Sequence, residues 1–130
     1  MRYANMEKKV LSIVQDIKDL KIQGARNIAQ KGVEALLIES EGYTGKDSGE
    51  FISNLIVASD LIAGARATEP MLRNFLHHII SKLTSSKSSS IKDLKKIVEE
   101  NCELIFEKLT PALRLDFFPY WNKKFKPALR

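Results

Sequence analysis

Hydrophobic residues along most of the chain recur every three to four positions, the spacing that places side chains on one face of an α-helix. The first such set predicts a helix over about residues 5–20 and consists of Val10, Ile13, Val14, Ile17 and Leu20. The same spacing predicts helices over about residues 25–41, 48–65, 69–83 and 90–109. Because no segment alternates with the two-residue period of a strand, the sequence predicts an all-α fold. We expect a bundle of five or six helices whose antiparallel neighbours are joined by short connections.

The second and third predicted helices differ in the side chains that they offer for packing. The second carries a stripe of small residues, namely Ala25, Ala29, Gly32 and Ala35. A glycine inside a helix costs about 1 kcal/mol unless a neighbouring helix uses the space, so this stripe predicts a close helix contact. The third has the widest apolar face, and we expect it to lie at the centre of the bundle.

Polar residues mark the starts of the later helices. Asp47, Thr68 and Ser90 each precede a hydrophobic helical segment, and each is a residue type that accepts hydrogen bonds from free backbone N–H groups. Thr68 is followed by Pro70, which suits a first helical turn. Thr110-Pro111 predicts a short sixth helix that ends before Pro119.

Composition bounds the domain count and the class of protein. With 130 residues, of which 44% are hydrophobic, the chain is long enough for one hydrophobic core, so we expect one domain. The start of the chain is too charged for a signal peptide, and no apolar run reaches the roughly 18–20 residues that span a bilayer. These features predict a cytoplasmic protein without a membrane segment.

Few residues offer catalytic or metal-binding chemistry. Cys102 is the single cysteine and lies on the apolar side of its helix, so we expect a buried, inert thiol. His77 and His78 are adjacent and point about 100° apart on a helix, so they cannot chelate one metal ion together. The carboxylates of the fifth helix, Glu99 among them, pair in sequence with lysines and predict a solvated face. We therefore expect no metal, no cofactor and no catalytic residue.

The end of the chain is basic and aromatic. The net charge of +5 belongs to the segment from Lys108 onward, where six lysines and arginines stand against Asp116 alone. Residues 110–130 also carry the closely spaced aromatic residues Phe117, Phe118, Tyr120 and Trp121. We expect these aromatics to cover a hydrophobic surface or to bind a partner protein. Stacking on nucleic acid bases is the alternative for such a tail.

Two helix junctions have the residues to hold an anion. "KIQGARN" (Lys21–Asn27) starts the second helix, and "ARATEPMLRN" (Ala65–Asn74) joins the third and fourth. Each places an arginine, Arg26 or Arg66, near the free N–H groups of a helix start, which together favour a phosphate or carboxylate. The alternative is a capped joint, because Glu69 puts a negative charge where the anion would lie.

The same two junctions resemble a known family. "DIKDLKIQGARNIAQKGVEAL" followed by "ARATEPMLRNFLHHI" is similar to the N-terminal helical domain of the translation initiation factor 2B alpha, beta and delta subunit family. That family also includes the ribose bisphosphate and methylthioribose phosphate isomerases. Residues 22–25 match its Ile-(Arg or Gln)-Gly-Ala signature, and Arg66, Thr68 and Leu72–Asn74 match its Arg-Pro-Thr signature. The resemblance covers roughly residues 8–109.

The resemblance implies a helical domain over residues 1–109 followed by a tail over 110–130. Family members have a Rossmann-like second domain with the catalytic residues, and we find no counterpart of it in this chain. By resemblance, Gly24, Ala25 and Arg66 would contact a sugar phosphate, with Arg26 and Thr68 beside them. Ala67 replaces a proline of the isomerases, and the "Thr-Glu-Pro" continuation is closer to the regulatory subunits.

These departures favour a non-catalytic, protein-interaction domain that acts in translation initiation. Its implied partners are initiation factor 2, another factor 2B-like subunit or a second copy of the chain. One alternative is the phosphate-binding part of a sugar-phosphate isomerase. The second alternative is nucleic-acid binding through the basic tail.

Overall fold

The described part of the chain is a bundle of five α-helices. The computed structural model describes residues 7–86 and 90–109. The helices are α1 (Lys8–Lys18), α2 (Ala25–Gly42), α3 (Ser48–Ala65), α4 (Pro70–Thr84) and α5 (Ile91–Leu109), and no strand is present in these residues. The predicted all-α fold is confirmed, while the predicted sixth helix lies outside the described residues. In the two described stretches, no helix is both long and apolar enough to cross a membrane.

The second helix, and not the third, lies at the centre of the bundle. α2 and α3 each contact the other four described helices, but α2 is enclosed by them, since its residues from Ile28 to Ser40 are buried except for Lys31. α3 buries one face only, and its apolar side chains Ile52, Ile56 and Leu61 remain partly or largely exposed. The prediction of a central third helix was wrong because it was based only on the width of the apolar face. A helix surrounded on all sides also needs small side chains, and α2 has them.

At Gly32, neighbouring helices approach α2 closely. A Cβ atom built at this position would overlap Leu72 Cδ1 of α4 and would lie 3.1 Å from Ile62 Cγ2 of α3. Both of these side chains are fully buried. The close helix contact that the small-residue stripe predicted is confirmed.

Two of the three predicted helix caps are present. The Asp47 carboxylate accepts from the N–H groups of Gly49 (2.9 Å) and Glu50 (3.3 Å), and the Ser90 hydroxyl accepts from Asp93 N–H (3.4 Å). The prediction for Thr68 was wrong. Glu69 is the residue before α4 and its side chain makes no capping hydrogen bond, while Thr68 lies exposed in the preceding turn. Pro70 has no N–H and a fixed φ, so it suits the first helical turn. α4 thus starts with a proline and without a side-chain cap.

Candidate phosphate-binding corner

The two junctions singled out from the sequence meet at one end of the bundle. Arg66 ends α3, and its Nη2 donates to the carbonyl oxygen of Ile17 at 2.9 Å and to that of Ile22 at 3.2 Å. Ile17 belongs to the last turn of α1, and Ile22 lies in the connection that leads into α2. Arg66 therefore joins the α3–α4 junction to the α1–α2 junction.

The start of α2 exposes backbone donors. Gly24 is the N-cap residue, has a φ of +87° and carries no side chain that could cap the helix. The first backbone bond of the helix runs from Ile28 N–H to the Gly24 carbonyl at 2.9 Å. The N–H groups of residues 25–27 precede that bond, so they have no partner within the helix. Residues 23–27 are exposed, and this end of the helix dipole is positive, so the turn is open to an anion.

Arg26 ties the start of α2 to the end of α5. Its Nη1 donates to the carbonyl oxygen of Leu109, the last residue of α5, at 3.2 Å. The final carbonyls of a helix lack intrahelical partners and carry partial negative charge, so a guanidinium is a favourable neighbour. Both arginines predicted to face an anion thus donate to carbonyls near helix C-termini.

The carbonyl contacts do not use all the donors of these arginines. A guanidinium has five N–H groups in a planar fork. The described bonds of Arg66 all use Nη2, and that of Arg26 uses Nη1. No described hydrogen bond uses the remaining N–H groups of these two side chains.

Thr68 is the member of the predicted set with the least support from the structure. It lies exposed in the turn between α3 and α4. Arg73, from the first turns of α4, closes this turn by donating its Nη2 to the Ala67 carbonyl oxygen. The structure places Gly24, Ala25, Arg26 and Arg66 around the connection into α2 and gives Thr68 no hydrogen bond there.

A second group of polar residues, which the sequence did not indicate, lies at the opposite end of α2. Glu39 is buried and accepts from the backbone N–H of Glu7 at 3.1 Å. Burial raises the pKa of the Glu39 carboxyl. A cavity of about 350 Å³ opens here, lined by Glu7, Glu39, Gly42, Tyr43, Thr44, Gly45, Glu50 and Asn54. Across the described residues, no group of three or more His, Cys, Asp or Glu side chains is arranged to hold a metal ion.

Glu99 departs from the solvated face that its helix predicts. It is half-buried and lies near the carboxyl of Glu41 on α2. Burial, together with the nearby Glu41 carboxyl, raises the pKa of Glu99 to about 7. Glu99 therefore changes its charge near neutral pH.

His77, His78 and Cys102 are the remaining candidate side chains, and burial excludes catalysis by Cys102. Its thiol is fully buried, and burial, reinforced by the charge of Glu99, raises the thiol pKa far above its ordinary value. The buried thiol that the sequence predicted is confirmed. His77 and His78 are both exposed on α4. The predicted partner-binding residues Phe117, Phe118, Tyr120 and Trp121 lie outside the described residues.

Comparison with known proteins bears on the resemblance. No protein-family model matches the chain. The chain is similar to sugar-phosphate isomerases. It is 30% identical to the ribose 1,5-bisphosphate isomerase of Pyrococcus furiosus over 94 residues, which cover 71% of the chain and 29% of that enzyme. Against the methylthioribose-1-phosphate isomerase of Acetivibrio thermocellus it is 24% identical over 98 residues, or 75% of the chain and 29% of the enzyme.

A third relative gives the same picture. The chain is 27% identical to the ribose 1,5-bisphosphate isomerase of Thermococcus kodakarensis over 93 residues, or 70% of the chain and 29% of the enzyme. These matches confirm the similarity to the isomerases. In each case the aligned region spans less than a third of the relative's length.

Proposed function

We propose that this chain is the helical domain of a protein related to the sugar-phosphate isomerases and that it binds the phosphate group of a sugar phosphate. The observation that carries the proposal is the contact of Arg66 with the connection before α2. It puts a guanidinium beside the exposed, uncapped helix start at Gly24 and Ala25. Similarity to two kinds of sugar-phosphate isomerase supports a phosphorylated sugar as the ligand.

The binding chemistry follows from the donors at this corner. The free N–H groups of residues 25–27 and the positive end of the α2 dipole attract a phosphate dianion. Arg66 and Arg26 add charge-assisted hydrogen bonds, which are about twice as strong as neutral ones. Gly24 leaves room because it has no side chain: the nearest atom to a Cβ built there, Asn27 Nδ2, is 3.8 Å away.

We further propose that this chain binds but does not catalyse by itself. The corner offers donors and positive charge, and its candidate residues Gly24, Ala25, Arg26, Arg66 and Thr68 include no carboxylate or thiol. A sugar-phosphate isomerisation needs groups that move protons, so those groups would come from other polypeptide. We also propose a cytoplasmic location, which fits both this role and a role in translation.

Thermal unfolding with ribose 5-phosphate tests the binding role. A ligand present at about 100 times its Kd stabilises the folded state by about 2.7 kcal/mol, which is roughly 10 °C in Tm for a domain of this size. Ribose without phosphate is the control for the sugar, and sulfate is the control for a general anion effect. A chain that gives the same Tm in all three solutions does not have this function.

A protein-contact role in translation initiation is the second candidate, and two observations favour it. Arg26 and Arg66 already donate to carbonyls, and the large apolar side chain of Leu20 is 56% exposed in the connection into α2. In this candidate, Leu20 contacts a protein partner such as the alpha subunit of initiation factor 2 or another factor 2B-like subunit. Titration calorimetry with that subunit should give binding that Leu20→Asp abolishes. A wild-type chain that releases no heat on mixing and stays monomeric in light scattering contradicts this candidate.

The two candidate functions predict different results for ribose 5-phosphate and for the Leu20→Asp variant. Ribose 5-phosphate stabilises the chain only under the first, and Leu20→Asp leaves that stabilisation unchanged. Nucleic-acid binding through residues 110–130 stays a prediction from the sequence. Its test is a steep loss of affinity with salt that disappears on truncation at Thr110.

A further inference from the structure

We propose that Arg66 is a positioning residue, which holds a left-handed turn at Leu20 from the end of α3. This turn sets the path by which the chain leaves α1 and enters α2. The inference rests on the proposed phosphate-binding function for its effect on a ligand. It gives Arg66 a second role, in which the side chain acts on the corner through the backbone as well as by contact.

Leu20 lies in a backbone conformation that glycine normally adopts. Its φ is +62°, and among the described residues it is the one non-glycine residue with a positive φ. Its N–H donates to the Ile17 carbonyl oxygen at 3.3 Å, and the N–H of Lys21 donates to that of Asp16 at 3.0 Å. These are the two bonds of a Schellman motif, in which the left-handed residue is usually glycine because a Cβ is disfavoured there. The end of α1 therefore uses a residue type that resists the conformation required of it.

Contacts from outside the turn hold this conformation. The Leu20 side chain is 56% exposed, so its own packing contributes little. Arg66 Nη2 donates to the carbonyl oxygens of Ile17 and Ile22, which lie on either side of Leu20. Gln23 Nε2 donates to the carbonyl oxygen of Leu20 itself at 3.0 Å. One guanidinium nitrogen thus joins the two ends of the strained turn.

Arg66 is better placed than Gln23 to fix the turn. It follows the last residue of α3 and is half-buried, whereas Gln23 is exposed and belongs to the same connection that it braces. Hydrogen bonds from a charged donor are stronger than neutral ones, so the two Arg66 bonds offset the left-handed penalty at Leu20. Gly24 comes two residues after Ile22, so a bond that fixes the Ile22 carbonyl also fixes where α2 starts.

A glycine at position 20 separates positioning from direct contact, because glycine adopts the left-handed region without the penalty. Arg66→Ala should lower the protection factor of the Lys21 amide in hydrogen exchange about ten-fold, the size of the left-handed penalty for a residue with a Cβ. Leu20→Gly added to Arg66→Ala should restore that protection, and Leu20→Gly alone should leave it unchanged. This measurement needs no ligand.

Calorimetric titration with ribose 5-phosphate, at a temperature where every variant is folded, measures the effect on the corner. Arg66→Ala should bind more weakly than the wild type, and Arg66→Ala/Leu20→Gly should regain about ten-fold in affinity. Lys18→Ala is the matched control, since it removes one exposed positive charge from the last turn of α1 and its side chain has no described hydrogen bond. It should change the affinity less than about two-fold.

Two results overturn the positioning role. One is Lys21 protection that Arg66→Ala leaves unchanged, and the other is equally weak ligand binding by Arg66→Ala with and without Leu20→Gly. A wild-type chain that does not bind ribose 5-phosphate overturns the phosphate-binding function instead. The Lys21 protection factors then decide by themselves whether Arg66 holds the turn.

Discussion

Replacing Gly32 by alanine should destabilise the bundle, although alanine is the better helix former. The gain in helix propensity is about 1 kcal/mol. Against it, the new Cβ would overlap Leu72 Cδ1 and would lie 3.1 Å from Ile62 Cγ2. Overpacking a core costs roughly 1–3 kcal/mol, and we take the upper end because both neighbours are fully buried. The net loss is then about 2 kcal/mol.

Gly64→Ala is the matched control for the same chemical change. Gly64 lies in α3, and a Cβ built there meets no atom within 4 Å. Near the end of a helix this substitution should stabilise by roughly 0.5 kcal/mol, through propensity and a less flexible unfolded chain. Urea unfolding followed by far-ultraviolet circular dichroism gives both values. A Gly32→Ala chain that is as stable as Gly64→Ala would show that α2 and α4 do not approach each other as described.

Three further predictions concern the helix ends and the protonation of Glu99. Arg66→Ala should lower the free energy of unfolding by about 2 kcal/mol in chemical denaturation, because two backbone carbonyls lose a charged donor; an unchanged stability would mean that these bonds do not form. Asp47→Ala should cost about 1 kcal/mol and Thr68→Ala close to nothing, because only Asp47 caps a helix, so equal losses would contradict the cap assignment. For Glu99, the pKa of about 7 in the folded chain exceeds the ordinary value of 4.5, so the folded state holds its proton more tightly. Its contribution to stability is complete below pH 4.5 and is lost as pH rises through 7; Glu99→Gln should flatten that part of the pH–stability curve, and a curve identical to the wild type would mean that folding does not raise the pKa of Glu99.

The helices were predictable from the sequence because their signal is local. Each apolar face repeats within one segment, and caps such as Asp47 act on the next few residues. The position of α2 at the centre was not predictable from its apolar residues alone, since Gly32 matters only through Leu72 and Ile62 on two other helices. The local pattern thus predicts the helices but not which of them lies at the centre of the bundle.

The candidate site was predictable in part for the same reason. Glycine and arginine at two junctions indicated an anion site, and the structure brings those junctions together. The sequence could not indicate that Arg66 donates to carbonyls 44 and 49 positions earlier, or that Arg26 donates to one 83 positions later. Nor could it indicate that Glu99 meets Glu41, because the lysines near Glu99 in sequence predict a solvated face. Each of these contacts depends on packing between distant segments.

A titration of the ¹⁵N-labelled chain with ribose 5-phosphate, followed by amide chemical shifts, tests the phosphate-binding corner most directly. The account predicts that the largest shifts fall on the amides of Gly24, Ala25, Arg26 and Asn27, and that Arg66→Ala weakens the binding. Shifts confined to other residues, such as the basic tail over 110–130, or the absence of any shift at millimolar ligand, would contradict it.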